Sequence, residues 1–156
     1  MVDSPSYALV INPCHKPLAI HESPALSRYS YSFVNSIEEI GADAWNACAG
    51  IKSPFTRYEF LHALEAAGCT TAATGWQPHH AAVRLAETDT LVAVVPVYLK
   101  TNSYGEYVFD WSWANAYQGN GLNYYPKLLT AVPFTPSVGS RILLRDLAQL
   151  EAVAQS

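Results

Sequence analysis

The amino-acid sequence predicts an α+β domain in which helices pack on a mostly antiparallel sheet. Apolar residues recur at helical spacing in two successive segments within residues 37–67. From His80 the apolar residues fall at every second position, which is typical of strands. A block rich in aromatic residues, glycine and proline follows, and helical spacing returns near the end of the chain. A group of helices followed by consecutive strands favours the α+β class over alternating βα units.

The first part of the chain, residues 1–29, is expected to be an extended or disordered leader. It carries repeated prolines and shows no sustained hydrophobic periodicity. Residues 31–35 are then predicted to form a short strand, because aromatic residues and valine favour extended backbone. The folded domain is therefore expected to cover residues 30–156.

A first helix is predicted directly after this strand. Ser36 and Glu39 have the spacing of a capping box, in which each side chain bonds the backbone N–H of the other residue. The helix is expected to run on from Ile37 and to end at Gly50, because glycine is a common helix stop.

A second helix is expected to follow closely. It begins near Ser53, where a proline comes next, or three residues later if Thr56 and Glu59 form a second capping box. Its apolar positions include Leu61, and Gly68 is its predicted end.

The change of period predicts an antiparallel hairpin. Residues 80–85 and 91–99 are the two strands, joined by a polar turn at residues 87–90. Pro96 lies inside the second strand and has no N–H to donate, so we expect an edge position or a bulge there. Such a bend would open a cleft.

The last elements surround an aromatic block at residues 98–134. The block is predicted to be extended, and residues 128–132 are predicted to form a further strand. Residues 143–153 carry apolar side chains at helical spacing, so a final helix is expected there.

Composition excludes several classes of protein. A chain of 156 residues that is 50% hydrophobic and 14% charged can form one globular domain. The net charge of −4 and the scattered basic residues provide no stripe for a nucleic-acid backbone. The cysteines are far apart, which argues against a disulfide framework or a zinc site. No stretch approaches the roughly 20 apolar residues of a membrane span, and a cytoplasmic location is expected.

A series of short motifs follows in a fixed order between about residues 33 and 145. They are Ser53-Pro54-Phe55, residues 61–65, Gly75-Trp76-Gln77-Pro78-His79, residues 95–100, residues 103–110, Tyr124-Tyr125-Pro126-Lys127-Leu128 and Val132-Pro133-Phe134-Thr135-Pro136. Together these motifs resemble the amino-terminal part of the Fem-like predicted N-acyltransferases. That family is described as peptidoglycan biosynthesis or recognition proteins and is placed in the GNAT superfamily.

The resemblance implies a fold and a reaction. The fold is a GNAT-like, incomplete domain, with residues 30–156 as the first half of a longer protein and truncated at the C-terminus. The reaction is transfer of an acyl or aminoacyl group to an amine, with a cell-wall precursor as substrate. Acyl-CoA or aminoacyl-tRNA would be a co-substrate, and no tightly bound cofactor is implied. This half is expected to be inactive by itself and to need its C-terminal half or a second copy.

Two other interpretations stay open. The aromatic block could be a non-catalytic surface that binds glycan or peptide, because flat amphipathic rings stack well on sugars. The domain could also be a scaffold that exists only to pack against its other half.

The acidic residues of the aromatic block are the candidates for acid–base chemistry. Glu106 and Asp110 lie four residues apart and would share one side of an extended strand. Aromatic surroundings can raise the pKa of a carboxyl group toward neutral pH, as a general base requires. Tyr104 could donate a proton to a leaving group. The alternative is that these residues are hydrogen-bonded structural anchors.

Other residues of the block are candidates for binding. Tyr107, Trp111, Tyr125 and Lys127 would line an acceptor groove or pair with an anionic group, although half-buried core tyrosines and solvated lysines are common.

The donor needs an anion site, which GNAT proteins build from a glycine-rich turn before a helix. The better candidate is the turn at residues 135–141, with Thr135, Ser137, Gly139 and Arg141. The second candidate is the glycine-containing segment at residues 118–123.

No metal site is predicted. His79 and His80 are neighbours on a strand and point to opposite faces. Glu59 and His62 have the spacing of half a di-iron motif, but the second copy is missing.

Overall fold

The computed structural model describes residues 28–145, and these form an α+β domain, as predicted. The strands are β1 (Tyr29–Val34), β2 (Trp76–Pro78), β3 (His80–Leu85), β4 (Leu91–Val95), β5 (Val97–Lys100), β6 (Lys127–Thr130) and β7 (Leu143–Leu144). The helices are α1 (Ala42–Ala49), α2 (Tyr58–Ala66) and α3 (Trp111–Gly119). Residues 1–27 of the predicted leader lie outside the described residues, and its last position, Tyr29, already belongs to β1.

The strands form two sheets whose pairings are all antiparallel. The larger sheet has the order β1-β3-β4-β7, and the smaller one has the order β2-β5-β6. The predicted hairpin is confirmed as β3 and β4. Pro96 separates β4 from β5, so the chain leaves the larger sheet at this residue and enters the smaller one. The predicted bend is therefore a change of sheet, which a residue without an N–H group permits.

The capping box at Ser36 and Glu39 is confirmed, but the helix that it opens is short. It is a 3-10 turn at Ile37–Glu39, and α1 starts only after Gly41. Gly41 has a φ of 84°, which is outside the helical region, so the expected continuous helix is wrong. Gly50 ends α1 as predicted.

The predicted capping box would place Thr56 directly before the second helix, but the helix begins one residue later than this. Arg57 is the residue before α2, and the hydroxyl of Thr56 donates to the carbonyl oxygen of Ser53 instead of capping the helix. The carbonyl of Thr56 accepts a hydrogen bond of 2.9 Å from Nε1 of the buried Trp45. The predicted capping box at Thr56 and Glu59 is therefore wrong. Thr56 is instead the last residue of a short 3-10 turn, and its carbonyl contacts α1.

The main core lies between the larger sheet and the first two helices. It contains Ile37, Ile40, Trp45, Cys48, Leu61, Ala82, Leu91, Val94, Val132 and Leu143. Leu143 is the first residue of β7, which pairs with β4, so the helix predicted from this residue is wrong at its start. Residues 146–153 of that predicted helix lie outside the described residues.

The aromatic block differs most from its prediction. Residues 103–110 form turns and loop rather than an extended strand, and α3 follows directly. None of the residues of α3 is buried. The loop and α3 connect β5 to β6, and the predicted strand near residues 128–132 is confirmed as β6. This long connection forms one wall of the site described below.

Among residues 28–145, no helix has both the length and the apolar character that crossing a membrane requires.

Candidate functional site

An open groove of about 930 Å³ lies between the loop after β5 and the loop after β6. Its lining residues are Trp76, residues 105–110, Lys127, Leu129, residues 131–132, residues 134–138 and Arg141. Apolar side chains supply most of the wall, and three charged side chains, Glu106, Asp110 and Lys127, lie together at one part of it. Such a combination is typical of ligand sites, in which a few polar groups fix the orientation of the ligand.

Two residues that line the groove, Trp76 and Lys127, belong to a row of side chains across the smaller sheet. Trp76 on β2 lies opposite Lys100 on β5, and Lys100 lies opposite Lys127 on β6. Residues directly opposite each other on neighbouring strands share one face of a sheet. The register therefore brings an indole ring and two ammonium groups together.

Lys100 is the innermost charge of this row. Its side chain is 0% exposed, and its Nζ lies 3.7 Å from the centre of the Trp76 ring. Nζ donates a hydrogen bond of 3.0 Å to the carbonyl oxygen of Tyr104. Burial lowers the pKa of Lys100 to about 8, while the charge of Glu106 raises it in part and the charge of Lys127 lowers it further.

Glu106 joins the two lysines. Its Oε2 accepts a hydrogen bond of 2.7 Å from Nζ of Lys127, and its Oε1 lies 3.9 Å from Nζ of Lys100. The side chain of Glu106 is only 7% exposed, and Oε1 has no hydrogen-bond partner. A buried carboxylate oxygen without a donor is unusual, because most buried polar atoms are paired.

Asp110 completes the cluster from the other side of Lys127. It accepts hydrogen bonds from Nζ of Lys127 and from the hydroxyl of Tyr124, the latter at 2.9 Å. The hydrogen bond from Lys127 lowers the pKa of Asp110, against the effect of burial. The expectation that aromatic surroundings raise this carboxyl pKa is therefore wrong for Asp110, since the sequence did not show that Lys127 would contact it.

Lys127 itself is held in the charged state. Burial by itself would lower its pKa, but the hydrogen bonds to Asp110 and Glu106 raise the pKa above its ordinary value. Glu106 and Asp110 thus do come together, as predicted, but through this shared lysine rather than along one strand.

The loop that carries the two carboxylates is fixed at both ends. Ser103 is buried, and its hydroxyl interacts with the hydroxyl of Tyr125 and accepts a hydrogen bond from the N–H of Asp110. Gly105 has a φ of 78°, and a Cβ at this position would lie 2.5 Å from the Phe134 ring. Only glycine fits here, because the backbone is left-handed and the neighbouring ring leaves no space.

The predicted donor segment lines the opposite side of the groove. Thr135, Ser137 and Arg141 contribute to the wall, whereas Gly139 does not. The guanidinium of Arg141 donates to the carbonyl oxygens of Ser137 and Gly139, which folds the side chain back on its own loop. The segment leads into strand β7, so the helix start expected behind it is absent from the described residues.

The second candidate anion turn is wrong. Residues 118–123 include the last turn of α3. The groups that lack an intrahelical hydrogen-bond partner there are carbonyl groups rather than N–H groups. A helix C-terminus repels anions.

The remaining predicted residues lie beside the groove. Tyr104 is 69% exposed and only its carbonyl contacts the cluster. Trp111 is exposed and stacks on Phe109, with ring centres 5.0 Å apart. Tyr125 holds Ser103, whereas Tyr107 is exposed and lines the groove.

Sequence reasoning missed Trp76 and Lys100 as residues of the site. A signal was present in each case: a tryptophan next to Gly75 in a short motif, and a lysine at the end of an apolar strand. Their meeting depends on strand register, which the sequence does not give. In the part of the chain that the structure describes, no three His, Cys, Asp or Glu side chains are placed to hold a metal ion.

Comparison with known proteins adds one finding. A family model described as FemAB-like, peptidoglycan biosynthesis/recognition, matches residues 36–156. The match covers both sheets except β1, and it includes all residues of the groove. No curated protein and no solved structure matches the chain.

Proposed function

The chain belongs to the FemAB-like family of peptidoglycan biosynthesis and recognition proteins, and from this membership we propose that it is an N-acyltransferase-like domain that acts on a cell-wall precursor. The reaction is transfer of an acyl or aminoacyl group to an amine of the precursor. We further propose that its α+β architecture is a variant of the GNAT fold. The donor would be acyl-CoA or aminoacyl-tRNA, both of which are found in the cytoplasm, and no tightly bound cofactor takes part.

One observation carries the proposal: Glu106 and Asp110 surround Lys127 on the wall of an open groove. An acceptor amine enters as an ammonium ion at neutral pH and must be bound and then deprotonated before it can attack. Two carboxylates that already hold one ammonium group supply the chemistry that binds another. The groove volume of about 930 Å³ leaves room for a peptide chain beside it.

The proposed roles follow from these positions. Glu106 and Asp110 bind the acceptor amine, and Lys127 pairs with both carboxylates and holds them side by side. Asp110 is a weak base because Lys127 lowers its pKa, so its role is electrostatic. Tyr107 lines the acceptor part of the groove, which opens beside it.

The donor is proposed to lie along the opposite wall. Thr135 and Ser137 offer hydroxyl groups there, and Arg141 offers a fixed positive charge. Hydroxyl and guanidinium groups bind phosphate or carboxylate oxygens well. This wall would hold the anionic part of the donor, in place of the helix start that GNAT proteins use.

A second candidate function is recognition of glycan or peptide without chemistry. Its support is the solvent exposure of Tyr107, Trp111 and Trp113, which are 82%, 59% and 65% exposed. Exposed indole and phenol rings stack on the apolar faces of sugars.

Thermal unfolding with three ligands separates these functions. A muropeptide with a free primary amine is expected to raise the Tm, since a ligand at 100 times its Kd stabilises by about 2.7 kcal/mol. Acyl-CoA is expected to raise it as well. Asp110→Asn should weaken the effect of the muropeptide, whereas the exposed control Glu87→Gln should not. If an uncharged chitooligosaccharide raises the Tm as much as the muropeptide does, recognition is favoured over transfer. If neither the muropeptide nor acyl-CoA raises the Tm, the transferase function is refuted.

A further inference from the structure

The edges of the two sheets differ in how well they are protected against pairing with a further strand. In residues 28–145, β1 and β7 border the larger sheet, and β2 and β6 border the smaller one. β7 has two residues, β2 has three and contains Pro78, and β6 has four and begins with Lys127. Short length, proline and lysine are common means by which proteins block an exposed edge. Three of the four edges are therefore blocked.

Strand β1 is the edge that lacks these features. It runs over six residues, Tyr29–Val34, without a charged residue or a proline, and its register with β3 is uninterrupted. Two of its aromatic side chains are exposed, Tyr31 at 60% and Phe33 at 55%. A long, uncharged edge strand with exposed apolar side chains is a template for another strand.

The backbone groups at this open edge belong to the aromatic residues. The N–H of Ala86 donates a hydrogen bond of 2.8 Å to the carbonyl oxygen of Arg28, directly before β1 and in line with its register to β3. Positions that bond to the neighbouring strand alternate with positions that do not in an antiparallel pair. Every second residue after Arg28 therefore points its N–H and C=O groups away from β3. These residues are Tyr29, Tyr31 and Phe33.

We propose that β1 pairs with β1 of a second copy of the chain, antiparallel and centred on Tyr31. Tyr31 then faces Tyr31 of the second copy, and Tyr29 faces Phe33. Each outward N–H donates to a carbonyl oxygen of the opposite strand, as in any antiparallel ladder. The two four-stranded sheets become one continuous sheet across a two-fold axis. Both copies use the same surface, which is the usual arrangement in homodimers.

The pattern of side chains in β1 favours a second copy over an unrelated strand. Read from either end, the residues around Tyr31 alternate between aromatic and serine. In the proposed register every aromatic residue meets an aromatic residue, and such pairs stabilise antiparallel strands. Ser30 meets Ser32, and Arg28 lies opposite Val34. No like charges meet along the paired residues 28–34.

A charge exchange at Tyr31 tests both the partner and the register. We expect the full-length chain to form dimers in analytical ultracentrifugation as its concentration is raised. Tyr31→Lys and Tyr31→Glu should each weaken the dimer by about tenfold or more, because like charges then lie directly opposite each other. A mixture of the two variants should restore a one-to-one heterodimer. The controls Ile51→Lys and Ile51→Glu change a residue that is 88% exposed and should dimerise like the wild-type protein.

Hydrogen exchange of the backbone amides gives a second readout that needs no substitution. The amides of Tyr29, Tyr31 and Phe33 should exchange more slowly as the concentration of the wild-type protein rises, because only the dimer pairs them. The amides of Ser30 and Ser32 should be protected at every concentration, since these groups bond to β3.

Three results would overturn the proposal. The first is a wild-type chain that stays monomeric up to the concentration of an NMR sample. The second is a dimer that Tyr31→Lys leaves unchanged, or that mixing with Tyr31→Glu does not restore. The third is protection of the Tyr31 amide in a monomer at every concentration, since another segment of the same chain would then cover the edge. None of these results bears on the proposed amine site, because β1 does not line the groove.

Discussion

Replacement of Gly105 by alanine tests how the groove is built. The backbone here has a φ of 78°, which costs an alanine about 1–2 kcal/mol relative to glycine. The new Cβ would lie 2.5 Å from the ring of Phe134 and 2.9 Å from Nε1 of Trp76. Overpacking of this kind costs about 1–3 kcal/mol more. Gly105→Ala is therefore expected to lower the free energy of unfolding by about 2–5 kcal/mol.

Urea denaturation provides the assay and Gly68→Ala provides the control. Gly68 has a φ of 72°, but nothing lies within 4 Å of its added Cβ, so only the backbone cost of about 1–2 kcal/mol applies. With a denaturant slope of about 2 kcal/mol/M, the control should lower the urea midpoint by roughly 0.5–1 M and Gly105→Ala by roughly 1–2.5 M. Equal losses in both variants would refute the close packing of Phe134 and Trp76 against Gly105.

Three further changes test other contacts. Glu65→Gln removes a carboxylate whose hydrogen bonds outweigh burial and lower its pKa. The stability lost should be about 1–3 kcal/mol at neutral pH and should shrink as the pH falls below about 4.3, the unfolded value, in urea melts at several pH values. Trp45→Phe leaves the carbonyl of Thr56 without its donor and should cost about 1–3 kcal/mol in the same assay; a neutral effect would contradict this buried bond. Lys127→Met should raise the pKa of Asp110 in a carboxyl NMR titration, and an unchanged pKa would mean that the two side chains do not pair.

The elements that the sequence predicted correctly depend on local signals. The capping box at Ser36, the stop at Gly50 and the period-two hairpin need only residues close in sequence. The missing N–H group of Pro96 predicts an edge position or a bulge, and the chain does bend away from the larger sheet at this residue. The residues after Pro96 join a second sheet, and this depends on pairing with strands that are distant in sequence.

The errors have three physical causes. Gly41 breaks a helix whose apolar spacing continues across it, since a left-handed backbone ends a helix whatever the pattern. Helix α3 has no buried residue, so it lacks the apolar stripe that identifies helices, and its two tryptophans and Tyr117 favour strands by propensity. Leu143 joins β7 because β4 offers a pairing edge, which overrides helical spacing.

The site could be predicted only in part. The residue types of the acidic pair and of Lys127 were recognised within the aromatic block, and they do meet. The opposite positions of Lys100 and Lys127 depend on the register of β5 and β6. Register over this distance is set by tertiary packing, so the position of Lys100 opposite Trp76 and Lys127 could not be predicted.

The proposed function requires that the groove beside Glu106 and Asp110 receives an amine of a cell-wall precursor. NMR mapping with a muropeptide that carries a free primary amine, next to the same muropeptide with that amine acetylated, tests it most directly. We expect the free amine to shift the backbone signals of residues 105–110 and the signal of Lys127. Acetylation should weaken binding by about tenfold or more, since the charge is lost. Equal binding of both muropeptides, or shifts confined to other parts of the domain, would contradict it.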